Sequence, residues 1–264
     1  MRENTLHDLW RRDGTAFTGW LTLPCAWSAE VMAHAGFDAL VIDLQHGLAD
    51  QAEMLAMLQA IGTTAVPPLV RVPWNEPSVL MRALDAGAYG IICPMIGTGA
   101  ECTAFVAACR YPPQGARSFG PTRSMVAIGA DYVARAGAYA LTFAMIETAQ
   151  AMENLEAIAG VAGLDGLFVG PWDLSLALGF DPPVGFRDAR LLEACDRVVA
   201  VARKRGLIAG LYAGSAAEGL AMAARGFRLV NIATDTALLQ RGAAAAVTEA
   251  KGGPGASGGP AGYA

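Results

Sequence analysis

The sequence predicts an α/β chain folded as a single (β/α)8 barrel, the TIM-barrel architecture, on three observations. Short apolar runs alternate eight times with longer segments of helical character, and alternation of that kind forces parallel strands with helices outside them. The chain is 264 residues long, close to the roughly 250 of one such barrel. No G-x-G-x-x-G follows the first strand, which weakens the runner-up, an open doubly wound sheet carrying a dinucleotide fingerprint. Residues 1–250 therefore read as one barrel domain. Residues 251–264, KGGPGASGGPAGYA, have the Gly/Pro-rich composition of a disordered tail.

In chain order, an amphipathic lead with Leu6, Leu9 and Trp10 precedes strand one at 16–23, whose helix is capped near Ser28 and closes at Gly36. Strand two, 39–42, is continuously apolar, runs into Asp43, Gln45 and His46, and stops at Gly47; its helix ends at Gly62. Strand three, 69–72, carries Arg71, and its helix spans 76–86 with Gly87 where a left-handed cap wants glycine. Strand four is GIICP, followed by a helix at 100–110. The irregular stretch YPPQGARSFGPTRS comes next and is expected to fold over the barrel mouth, since long loops in compact domains are usually functional or disordered. Strand five, 141–146, delivers Glu147, and the following helix shows Met152, Leu155 and Ile158 on one face. Strand six, 166–169, delivers Gly170, Pro171, Trp172 and Asp173; a second loop, GFDPPVGF, leads to a long helix at 187–204. Strand seven is LIAGLY, its helix ends near Gly226, strand eight is RLVNI, and the last helix covers 235–250.

Composition removes several classes of function. The longest apolar runs break well before the roughly 18 residues of a membrane helix, and the charged start MRENTLHDLWRRDG holds no signal core, so a cytoplasmic protein away from membranes is expected. With 19 basic and 24 acidic residues and dispersed arginines, nucleic acid is not an expected partner. At 54% hydrophobic and 16% charged, the chain favours a homo-oligomer with buried subunit faces. The cysteines Cys25, Cys93, Cys102, Cys109 and Cys195 form no C-x-x-C and read as reduced structural thiols. Lys204 and Lys251 are the only lysines, one in a helix and one in the tail. A Schiff-base mechanism, which needs a buried active-site lysine, is thereby disfavoured. The absence of G-x-S-x-G sets aside the nucleophile-elbow hydrolases.

Polar residues at the carboxyl ends of buried parallel strands line the active sites of α/β proteins. His46 and Arg71 are the first candidates: imidazole is the natural general base near neutral pH, and a guanidinium can stabilise an oxyanion or enolate. Their plainer readings are a packed histidine and a loop brace. Asp43 either partners His46 or merely ends its strand. Glu147 and Asp173, 26 residues apart, fall at the mouths of adjacent strands, where two carboxylates can bind a divalent cation through oxygen; helix capping is the alternative. The turn at Gly170–Asp173 can aim backbone N–H groups at a substrate carboxylate, or be a plain tight turn.

The motifs VIDLQHG, VRVPW with LDAGAYGIICPM, YPPQGARSFG, AMIET and GLFVGPWDLSLALG, in that order over about 16–240, resemble the HpcH/HpaI family of metal-dependent (class II) pyruvate aldolases, which includes enzymes acting on 2-keto-3-deoxy sugar acids. The resemblance implies a barrel in which Glu147 and Asp173 hold a divalent metal ion (Mg, Mn or Co). It implies that pyruvate chelates this ion and that the amides around Gly170, Pro171 and Trp172 hold the pyruvate carboxylate. His46 would be the base, directly or through a metal-bound water, and Arg71 would polarise the keto oxygen. Asp85 matches the acid that pairs with the histidine, supplied by a neighbouring subunit. Trp20 and Leu211 match positions lining the aldehyde side. Met145 and Gln45 stand where other members carry glutamine and glutamate, which bears on the acceptor more than on the reaction. The implied assembly is a hexamer, a dimer of trimers exchanging the last helix. The expected reaction is reversible cleavage of a 4-hydroxy-2-oxo acid to pyruvate and an aldehyde through a metal-stabilised enolate. A citryl-CoA-lyase-like lyase or an enolate decarboxylase would keep the fold, though no basic patch for a CoA phosphate stands out. A non-catalytic binding barrel would have little use for these four residues on one rim.

Overall fold

The computed structural model describes residues 3–179 and 185–252, so most of the GFDPPVGF loop and nearly all of the Gly/Pro-rich tail lie outside the described residues. Eight strands, β1 (Ala16–Leu21), β2 (Ala39–Asp43), β3 (Pro68–Arg71), β4 (Gly90–Cys93), β5 (Leu141–Ile146), β6 (Gly166–Val169), β7 (Ile208–Tyr212) and β8 (Leu229–Thr234), pair in parallel in chain order and close β8 onto β1. The main helices, Ala26–Ala33, Gln51–Ile61, Pro77–Asp85, Gly99–Cys109, Ala189–Arg205, Ala216–Ala224 and Asp235–Ala250, ring the outside, with a broken helix, Ala149–Glu153 and Leu155–Ala159, after β5. The fold is the expected (β/α)8 barrel. No helix among the described residues is long and apolar enough to cross a membrane.

Successive side chains on a strand point to opposite faces, and that parity sorts the core into two shells. Trp20, Val41, Leu69, Ile92, Phe143 and Phe168 fill the barrel interior, whereas Leu21, Ile42, Val70, Ile146, Val169 and Leu211 face the helices. Each fully buried aliphatic side chain contributes roughly 1.5–3 kcal/mol, so both shells hold the strand register firmly. Two inward positions are glycine because an aromatic ring from the preceding strand occupies their space. A Cβ on Gly166 would lie 2.3 Å from the Phe143 ring, and one on Gly210 2.6 Å from the Phe168 ring.

Capping fixes where the loops end. Asp50 accepts from the amides of Ala52 and Glu53 while Glu53 reaches back to the Asp50 amide, a reciprocal pair that satisfies otherwise orphaned donors. Gly87, at φ +106, closes its helix as expected. The first helix of the barrel starts after Cys25, earlier than the expected cap at Ser28.

The stretch after Arg110 departs from expectation. It leaves the carboxyl end of a helix, so it starts at the foot of the barrel, where strands begin, and it stays there rather than covering the mouth. Arg110 donates to the carbonyls of Ala140 and Gly163 and to Asp165. Arg117 donates to Asp85 at 2.6 Å and to the Tyr132 hydroxyl at 3.0 Å. Arg123 donates to the carbonyls of Ala86 and Leu58. Helix-terminal carbonyls lack intrahelical donors, and Arg110 at Ala140 and Arg123 at Ala86 and Leu58 supply them. Two helices absent from the sequence expectation, Thr122–Ala127 and Tyr132–Tyr139, complete this floor. The helix Thr5–Arg11 adds to it, held by Asn4 donating to the Tyr139 carbonyl at 3.0 Å.

Candidate active site

At the mouth, a cavity of about 230 Å3 is lined by Trp20, Thr22, Asp43, His46, Arg71, Met145, Phe168, Gly170, Pro171, Trp172, Asp173 and Tyr212. The ends of β2 and β3 build its first wall. Asp43 and Arg71 are the inward-facing last residues of neighbouring strands in direct register, and Arg71 clasps the carboxylate through Nε at 2.9 Å and Nη2 at 2.6 Å. Burial alone would raise the Asp43 carboxyl, but the Arg71 guanidinium overrides it and holds the group below the usual carboxylate range. Asp43 Oδ1 also accepts from the amides of Gln45 and His46, at 3.0 and 3.3 Å. Asp43 thus partners the backbone of His46, not its ring, and sets the turn that carries the imidazole to the rim. The turn is tight enough that a Cβ on Gly47 would sit 2.1 Å from the Asp43 carbonyl oxygen. His46 is exposed at the mouth, its imidazole free of hydrogen bonds within the described chain. Gln45 Oε1 is buried without a partner among the described residues.

The second wall comes from β5 and β6. Glu147 follows β5, is 2% exposed, and its Oε1 accepts from the Met95 amide at 2.7 Å. Met95 adopts φ 56, a left-handed conformation uncommon outside glycine and tolerated at functional sites, and in that conformation its N–H meets Glu147. Burial pushes the Glu147 carboxyl up to about 7; the Met95 amide opposes this, Asp173 adds to it, and Arg71 offsets part. Asp173 sits in the first turn of the helix Pro171–Ala177, which starts at Gly170 with no side-chain cap, so the first-turn N–H groups of Trp172 and Asp173 have no intrahelical partner. A Cβ on Gly170 would lie 2.4 Å from Glu147 Oε2; only glycine leaves the carboxylate its place.

This donor set fits a divalent cation. Two carboxylates lie close enough that Asp173 helps to raise Glu147, both offer oxygen donors, and burial makes the Glu147 anion so unfavourable that it titrates near 7, a penalty that a bound cation relieves. Among the described residues no group of three or more His, Cys, Asp or Glu side chains gathers at one point. The chain would therefore supply two ligands and leave the remaining positions to substrate and water, as hard cations with octahedral preference accept.

An aromatic wall completes the cavity. Arg71 lies over the Trp20 ring at 5.0 Å; Trp20 packs on Phe168 at 5.7 Å and edge-on to Tyr212 at 5.4 Å, and Tyr212 meets Trp172 at 5.6 Å. Met145 points in from β5.

The structure brings together His46, Arg71, Asp43, Glu147, Asp173, Gly170, Pro171, Trp172 and Trp20. It does not bring in Leu211, which is fully buried in the outer shell against the helices. Gly210 points inward, so Leu211 must point outward and Tyr212 inward; the expected position was one residue out of register. Nor does Asp85 meet His46 within the chain. It ends the helix Pro77–Asp85 at the foot of the barrel, bound to Arg117. Tyr212, Thr22 and Phe168 were missed, although inward parity counted from Gly210 would have found Tyr212. No disulfide forms among the described residues; Cys25 is exposed, and the other four cysteines are buried, with burial pushing Cys102, Cys109 and Cys195 up to about 12.

The profile of the HpcH/HpaI aldolase/citrate lyase family matches residues 17–241. A hydroxypyruvate/pyruvate aldolase of Rhizorhabdus wittichii is 40% identical over 248 residues, covering 94% of this chain and 99% of that protein. A 4-hydroxy-2-oxo-heptane-1,7-dioate aldolase of Salmonella dublin is 36% identical over 231 residues, 86% of each. Among solved structures, an HpcH/HpaI aldolase/citrate lyase family protein from Burkholderia cenocepacia superposes with a TM-score of 0.87 at 33% identity, covering 94% of this chain and 99% of that one. With a matching profile across most of the barrel and relatives of this identity along nearly its whole length, the chain belongs to the HpcH/HpaI aldolase/citrate lyase family.

Proposed function

We propose that this chain is a carbon–carbon lyase, an aldolase that reversibly cleaves a 4-hydroxy-2-oxo acid to pyruvate and an aldehyde. The observation that carries the reading is the convergence of His46, Arg71 and Asp173 on one mouth cavity, with buried Glu147 directly behind its Gly170 wall, in a barrel whose relatives are named as aldolases. A divalent cation held by Glu147 and Asp173 would act as a Lewis acid toward the 2-oxo oxygen. The first-turn amides of Trp172 and Asp173, which no side chain caps, would hold the substrate carboxylate, and Pro171, lacking an N–H, shapes the turn.

His46 takes the proton of the 4-hydroxyl. The C3–C4 bond breaks, its electron pair passes to C3 as the enolate of pyruvate, and C4 leaves as the aldehyde. The proton held on His46 then returns to C3 and completes the pyruvate methyl group, so the imidazole ends as it began. Arg71 stabilises the negative charge on the enolate oxygen; Nε and Nη2 are engaged by Asp43, which leaves Nη1 to serve it. In the reading inherited from the family resemblance, Asp85 of a neighbouring copy pairs with His46 in a hexamer. Exposed Leu238, Leu239 and Val247 on the last helix are the apolar surface such an exchange would cover.

Pyruvate release from a 4-hydroxy-2-oxo acid, followed in wild type, His46→Ala and Arg71→Ala with Mg or Mn present, tests the reading. Loss in both variants is expected. Wild-type turnover surviving the removal of both side chains would sink it.

A further inference from the structure

Three acidic side chains are buried among the described residues: Asp43, Glu147 and Asp235. The first two have places in the proposed site. Asp235 does not, yet at 4% exposed it is a group whose burial is costly unless it is hydrogen-bonded. Its Oδ1 accepts from the Thr22 amide at 2.9 Å, the Thr22 hydroxyl at 2.8 Å and the Thr236 amide at 2.8 Å, and its Oδ2 accepts from the Leu23 amide at 3.1 Å. Thr22 spends its one hydroxyl proton on Asp235, so the Thr236 hydroxyl donates to Thr22 Oγ1, at 2.6 Å. The last helix does not need this carboxylate as its cap, because Thr234 caps it through the Ala237 amide at 3.1 Å. Three of the four bonds to Asp235 instead hold residues 22 and 23, which leave β1 at the mouth and line the cavity through Thr22.

From Thr22 the bonds continue to the loop that carries His46. The Thr22 carbonyl accepts from the Leu48 amide at 3.0 Å. On the other side of His46, the Leu44 amide donates to the Arg71 carbonyl at 2.9 Å, and the Gln45 and His46 amides donate to Asp43. His46 therefore stands on a short bridge, with one footing on β2 and β3 and the other on Thr22. The Leu48 side chain is 75% exposed and Gly47 has none, so the Leu48 amide rather than packing makes the second footing. Asp235 stands behind it, gripping Thr22 by amide and hydroxyl while the Thr22 carbonyl takes Leu48. Strands β8, β1 and β2 are neighbours in the closed barrel, which makes the path from Asp235 through Thr22 to Leu48 contiguous and brings it within two residues of the imidazole.

We propose that Asp235 is a positioning residue for the general base: through Thr22 and Leu48 it fixes the loop that presents the His46 imidazole to the substrate. The inference rests on the aldolase reading. Its test compares wild type, Asp235→Ala and Asp235→Asn in the exchange of pyruvate methyl protons with deuterated water, with Mg present. Rates are referred to the sites counted by calorimetric titration with Mn, so an unfolded fraction does not enter. Asp235→Ala should lower kcat for exchange by about tenfold, as a misplaced catalytic group does. KM for pyruvate and Mn affinity should stay as in wild type, because Arg71 and Glu147 are held by other bonds. The chain has three histidines, so their ring signals in NMR report on the position directly. Those of His46 should shift or broaden in Asp235→Ala while those of His7 and His34 stay in place. Asp235→Asn keeps an oxygen for Thr22 but turns an N–H toward the Leu23 amide. It should fall between wild type and Asp235→Ala in both readouts, and it carries the test alone if the alanine variant does not fold. Wild-type kcat per site in the variants, a loss confined to KM, or unmoved His46 signals overturns the proposal while exchange in wild type keeps the aldolase reading. Wild type that exchanges no pyruvate protons with any metal removes both.

Discussion

His46 and Arg71 differ in how the chain holds them, and the difference sets what each substitution should cost. The imidazole stands free at the rim, so His46→Ala leaves folding intact and removes a proton carrier, expected to lower kcat by about 10²- to 10⁴-fold. Arg71 is locked to buried Asp43, so Arg71→Ala costs about 10²- to 10³-fold as a lost oxyanion donor and strands a carboxylate as well. Gly170→Ala should be as damaging as a change to a metal ligand, because the added Cβ would meet Glu147 Oε2 at 2.4 Å; calorimetric titration with Mn should show weakened binding. Glu147 itself supplies a pH signature. Its carboxyl titrates near 7 when folded and near 4.5 when unfolded, so between those values the folded chain binds the extra proton. Stability of the metal-free protein therefore falls as pH rises from about 4.5 to about 7, by its effect alone. Mg or Mn should raise Tm more at about pH 8 than at about pH 5, and Glu147→Gln should abolish the metal-dependent part. A metal-induced Tm rise equal at both pH values would contradict this account of the site.

Along a strand, one residue decides between core and chemistry. Leu211 and Tyr212 are neighbours on β7, yet Leu211→Ala should destabilise the barrel by about 2–5 kcal/mol, as a cavity in packed core does, without altering which aldehyde is preferred. Chemical denaturation of Leu211→Ala beside wild type checks the loss. The sequence carried the strands legibly because runs such as ALVI and IIC are buried on both faces, and carried His46, Arg71, Glu147 and Asp173 because polar residues abruptly end those runs. It carried Leu211 wrongly because a run buried on both faces shows no alternation; inward and outward positions look alike until a glycine such as Gly210 is placed. The stretch 111–124 was misplaced for a different reason. Its Pro, Gly and Arg content marks it as irregular, but its end of the barrel follows from its position after a helix rather than after a strand. Asp85 shows the limit of a single chain: its guanidinium partner Arg117 arrives 32 positions later, a separation no local pattern encodes.

The whole molecule divides into a foot that stabilises and a mouth that reacts. Arg117 is fully buried at the foot, stacked at 4.5 Å on Tyr111 and 5.5 Å on Tyr132 while bound to Asp85. Arg117→Ala should cost about 3 kcal/mol, the lower end for breaking a buried pair because Asp85 keeps partial access to water. The mouth is built from the ends of six strands, β1, β2, β3, β5, β6 and β7, so its geometry depends on the closed barrel and no excised piece would keep it. What that mouth does is tested most directly without any choice of aldehyde: exchange of pyruvate methyl protons with deuterated water, followed by NMR, with EDTA and then with Mn or Mg restored. Exchange that stops with the chelator and returns with metal is the predicted result. Absence of exchange with every metal would contradict the claim that this site makes the enolate of pyruvate.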